Sequence, residues 1–109
     1  METHAEAELY ALPESDGGRH SPFFSEDRPC IAFDDVYDGL TITLLDCDSM
    51  SGGDTRRVAF SFHSLPTFVG RLRVGLPFSI AEGARVVAHG TITAVFDPAL
   101  RSSDSPDSA

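Results

Sequence analysis

The chain repeatedly alternates apolar and polar residues with a period of two, and no window carries a helical period over three turns. Alternate side chains of a strand face opposite ways, so this pattern builds sheet with one buried face and argues against a helical bundle. Leu40-Thr41-Ile42-Thr43-Leu44 is the cleanest instance, and its β-branched residues favour a strand. Val58, Phe60 and Phe62 place three large apolar side chains on one face, and Leu76, Phe78 and Ile80 do the same. Cys30-Ile31-Ala32-Phe33 is a short apolar strand that follows Arg28-Pro29. In residues 5–12 the set Ala5, Ala7, Leu9, Ala11 opposes Glu6, Glu8, Tyr10, Leu12; one set is thin and the other mixed, so the pattern leaves the facing open. The longest strand candidate covers residues 85–96, with Gly90 inside it as a site for a bulge or tight bend.

Turn signals separate these stretches: Gly17-Gly18, Ser51-Gly52-Gly53-Asp54 and Glu82-Gly83-Ala84. Ser21 precedes a proline and is therefore biased towards extended backbone. About six short strands punctuated in this way predict an all-β sandwich or barrel, and closure into a barrel would remove exposed edges. A length of 109 residues suits one domain, and 41% hydrophobic residues can supply a modest core. The barrel is assigned to residues 1–97. Residues 98–109 are read as a disordered acidic tail; Pro98-Ala99-Leu100 closes the fold at its start, and Ser, Asp and Pro dominate the rest.

Charge and composition narrow the function. Residues 1–54 carry 13 acids against two arginines, whereas residues 55–92 carry five arginines against one glutamate. An acidic whole, net −9, repels nucleic acid at long range, while the basic stretch offers a local phosphate-binding face. The chain has no lysine, so it cannot carry an ordinary P-loop nucleotide site. His4, His20, His63 and His89 are scattered and read as surface residues or loop hydrogen-bonders rather than ligands, and Cys30 and Cys47 lack metal-ligand spacing or a catalytic-thiol signature. The expectation is a non-enzyme with no cofactor and no metal. The sequence shows no secretory-signal or membrane-span pattern, so a cytoplasmic location with both thiols free is the expectation.

Two longer motifs carry a resemblance. Gly17-Gly18-Arg19-His20-Ser21-Pro22-Phe23-Phe24, followed by Arg28-Pro29, is one; the run from Gly75 through Ile80-Ala81-Glu82-Gly83-Ala84-Arg85 to Gly90 is the other. In order and separation they resemble the C-terminal (third) domain of elongation factor Tu, across roughly residues 5–97, here as a stand-alone domain without the GTPase. The resemblance implies a six-stranded antiparallel β-barrel. It further implies a translation-associated binding module whose partner is aminoacyl-tRNA or a protein of the translation machinery. On that reading Arg19, His20, Ser21, Glu82 and Gly83 are the RNA- or partner-binding residues; Phe23-Phe24 is expected instead to play a structural part, as a plug in the barrel. Departures weigh against RNA: Cys30 replaces a glutamine, Ala81 and Pro77 replace arginines, and Asp35-Val36-Tyr37-Asp38-Gly39 brings acids to the surface. The alternative is a protein-interaction domain (adaptor, mimic or immunity-type) that has lost tRNA binding.

Overall fold

The computed structural model describes residues 2–102. Strands β1 (Ala5–Ala11), β3 (Cys30–Phe33), β4 (Val36–Leu44), β6 (Thr55–Phe62), β7 (Pro77–Glu82) and β8 (Arg85–Val95) form a closed barrel in the order β1-β6-β4-β3-β7-β8. Every neighbouring pair is antiparallel, including β8 with β1, which completes the circle. The predicted all-β, six-stranded antiparallel barrel is therefore the observed architecture. A separate two-stranded ribbon pairs β2 (Phe23–Phe24) with β5 (Ser49–Met50), and a single helical turn, α1 (Leu65–Phe68), lies between β6 and β7.

The alternation resolves in favour of the small residues of β1. Ala5, Ala7, Leu9 and Ala11 are at most 1% exposed, and Glu8 and Tyr10 face out. A narrow barrel has little interior room, so small side chains on one strand make space for the phenylalanines of others. Phe60 lies edge-on to Phe78 at 5.4 Å and 6.2 Å from Phe62. Phe68 of α1 stacks on Phe62 at 4.1 Å and closes one end of the barrel with Leu72 and Leu100. Each such aromatic contributes about 1.5–3 kcal/mol by leaving water.

Three expectations change. Gly90 is not a bulge: the register shifts fall between Glu6 and Ala7 on β1 and between Ile80 and Ala81 on β7. Gly90 instead permits close packing, since a Cβ there would stand 2.5 Å from the Glu8 carbonyl oxygen and 2.6 Å from the Phe78 ring. The predicted tail begins later than residue 98. Pro98–Leu100 forms a 3-10 turn, Leu100 is 1% exposed, and Arg101 bridges to Leu72. One buried leucine is enough to tie down a segment that composition alone marks as polar. Residues 103–109 lie outside the described residues. Finally, His4 is not a surface histidine. It is 6% exposed, stacks on Phe62, and its Nδ1 accepts the Phe62 backbone N–H at 3.0 Å. Both cysteines are free thiols. No helix among the described residues is long and apolar enough to cross a membrane.

Candidate binding surface

The two motifs singled out in the sequence meet at the barrel end where β1 finishes and β8 begins. The chain leaves β1, makes a 3-10 turn (Glu14–Asp16) and reverses at Gly17, whose φ of 97° suits glycine. Gly18 then passes so close to the chain it has just left that a Cβ would lie 1.8 Å from the Leu12 carbonyl oxygen. Only glycine fits there. The loop is then clamped from the opposite hairpin: Arg85 Nε donates to the Gly17 carbonyl at 2.8 Å, and its Nη2 donates to the Gly18 carbonyl.

Arg19 sits at the centre of this surface. Its Nη1 donates to Asp27 Oδ2 at 2.7 Å, and its Nε lies 3.3 Å from Glu82 Oε2. The guanidinium carbon stands 4.4 Å above the Phe23 ring, a cation–π geometry, and the side chain is only 17% exposed. Asp27 is positioned by a tight turn from Phe24 in which Glu26 adopts a φ of 73°. The same Asp27 oxygen accepts the Phe24 backbone N–H at 3.0 Å. The carboxylate thus holds the turn and the arginine together.

The five predicted residues are not equivalent. Arg19 and Glu82 form a direct ion pair across the two motifs. Ser21 is exposed, with its hydroxyl a long 3.5 Å from Arg19 Nη2. His20 points elsewhere: its ring is 92% exposed and lies 3.0 Å from Glu14. Gly83, with a φ of 63°, makes the β7–β8 turn and accepts a hydrogen bond from the Tyr37 hydroxyl through its carbonyl. The expected aromatic plug is half right, because Phe23 is 2% exposed and Phe24 is 50% exposed. A two-residue strand can bury only one of two adjacent side chains.

Asp27, Arg85 and Tyr37 belong to this surface and were not singled out from the sequence. Arg85 lies inside the second motif, where its spacing from Glu82 in a hairpin offered a signal. Asp27 and Tyr37 act across distances in sequence that carry no local pattern. Electrostatically, Asp27 and Glu82 flank Arg19, and both Arg19 and Arg85 already have acceptors within the chain. Among the described residues no group of three His, Cys, Asp or Glu is arranged to hold a metal ion. No family model matches the chain.

Proposed function

We propose that this chain is a non-catalytic binding module, a relative of the elongation factor Tu third domain, that docks a protein of the translation machinery rather than RNA. The docking surface comprises the loop at residues 17–24 and the β7–β8 turn. One observation carries the choice of protein: the Arg19 guanidinium is enclosed by Asp27 at 2.7 Å and Glu82 at 3.3 Å. Phosphate contacts dominate affinity for nucleic acid. An arginine already paired with two carboxylates would have to break those pairs before it could contact a phosphate. The surrounding acids would oppose the phosphates as well. The exposed Phe24 of the loop and Tyr37 beside the turn suit a protein partner, because aromatic residues are enriched at such interfaces.

The test is a pair of titrations with the purified chain. Aminoacyl-tRNA is titrated at low salt, where phosphate contacts are strongest. The elongation factor's GTPase domain and its nucleotide exchange factor are titrated by calorimetry. Saturable protein binding that Arg19→Ala weakens, with no RNA shift at low salt, supports the proposal. RNA binding that falls steeply with salt would sink it in favour of the tRNA reading.

A further inference from the structure

A second surface lies on the outer wall of the barrel, across β8, β1 and β6. Two rungs of side chains line up there. His89 is in register with Tyr10, and Tyr10 with Thr55; in the next rung Thr91 faces Glu8, and Glu8 faces Arg57. All six residues are exposed, and Glu8, Tyr10, Thr55, His89 and Thr91 rim a shallow depression of about 230 Å³ with Gly90 in its wall. Ser79 on β7 holds the His89 ring, with its hydroxyl 3.1 Å from Nδ1. Glu8 and Arg57 stand directly opposite on neighbouring strands. Opposite charges in that position ordinarily pair. Yet among the described residues these two side chains form no ion pair with each other, and neither side chain has another partner.

We propose that this wall is a self-complementary interface through which two copies of the chain form an isologous dimer, with Glu8 of each copy paired to Arg57 of the other. The argument for a second copy is charge order. A two-fold axis lying in the interface, parallel to the strands and between β1 and β6, sets each Glu8 over the other copy's Arg57 and each Tyr10 over the other copy's Thr55. One operation satisfies both unpaired charges twice. A uniformly basic or acidic partner would meet one like charge on this wall, which is costly. Tyr10 supplies aromatic contact area beside the axis, and His89 lies farther out on β8. The wall of a narrow barrel is convex, so the contact is small and the dimer is transient, with a Kd in about the micromolar range or weaker. The net charge of −9 on each copy adds long-range repulsion, so the reciprocal pairs have to hold the dimer locally. This wall is distinct from the Arg19 surface, and its failure as an interface would leave the proposed function untouched.

The test is sedimentation velocity on the full chain over a concentration series reaching about a hundredfold above the expected Kd. Three variants accompany the wild type: Glu8→Arg, Arg57→Glu and the double reversal. Circular dichroism confirms that each is folded, as exposed strand positions should allow. The wild type should show concentration-dependent dimer. Either single reversal should weaken it by about tenfold or more, because each creates two repulsive contacts per dimer. The double reversal should restore it. A wild type that stays monomeric throughout overturns the proposal. So does a dimer indifferent to Arg57→Glu, or a double reversal that fails to recover.

Discussion

Replacing Asp27 with alanine is the sharpest probe of how the Arg19 surface is held. The substitution removes two interactions of one oxygen: the 2.7 Å ion pair with Arg19 and the 3.0 Å bond from the Phe24 backbone N–H. Hydrogen bonds involving a charged group contribute about 1.5–3 kcal/mol. The Asp27 side chain is 28% exposed and Arg19 17%, so solvent screens the pair only partly and the lower half of that range applies. The loss of the turn bond adds about 0.5–1.5 kcal/mol. Asp27→Ala should therefore cost about 2–4 kcal/mol. That is a large share of the roughly 5–15 kcal/mol available to a small domain, and it corresponds to a Tm drop of about ten degrees or more. Asp27→Asn keeps an acceptor for the Phe24 N–H and should cost about half as much. Urea denaturation of the wild type, both variants, Arg19→Ala and the Arg19→Ala/Asp27→Ala double variant gives the coupling directly. A coupling of about 1 kcal/mol or more is expected. Asp27→Ala within about 0.5 kcal/mol of wild type, with no coupling to Arg19, would refute the account of an enclosed arginine.

Further outcomes follow from the geometry. Gly18→Ala should disrupt the loop at residues 12–18 and speed amide exchange there, because its Cβ would overlap the Leu12 carbonyl; unchanged exchange would contradict that close approach. The Cys47 thiol is pushed up, first by burial and then by the Asp46 charge, so it should alkylate more slowly than a free small thiol at neutral pH. The hydrogen bond from Arg71, followed by a backbone bond and the Arg71 charge, holds the Asp35 carboxyl below its ordinary value. Its contribution to stability is therefore present above the unfolded carboxylate pKa and is lost as pH falls through the lower folded value. Because Asp35 is fully exposed, the visible effect should be an NMR titration midpoint that rises in Arg71→Ala, with little change in the melting curve.

The barrel was legible because its signal is local. Val58, Phe60 and Phe62 alternate on one strand, and Glu82-Gly83-Ala84 can only turn; both follow from the period of a strand and the freedom of glycine. The facing of β1 was not legible, since Ala5 and Ala7 are weak markers of an interior until neighbouring phenylalanines fill the space beside them. Residues 98–100 read as closing the fold, but the burial of Leu100 was not legible for a related reason: one leucine among polar residues has no period, and only the pocket it enters identifies it as core.

The amino-acid sequence by itself determined the strand content, the turns, the absence of a P-loop lysine and the two motifs at residues 17–24 and 75–90. Tertiary structure alone decided what those motifs can do. It set Arg19 between Asp27 and Glu82, spent Arg85 on the Gly17 and Gly18 carbonyls, and left Arg57 facing Glu8 without pairing. The physical reason is that an arginine's function depends on which acceptors stand within about 3 Å of it. In a closed barrel those acceptors come from strands and turns far apart in the chain.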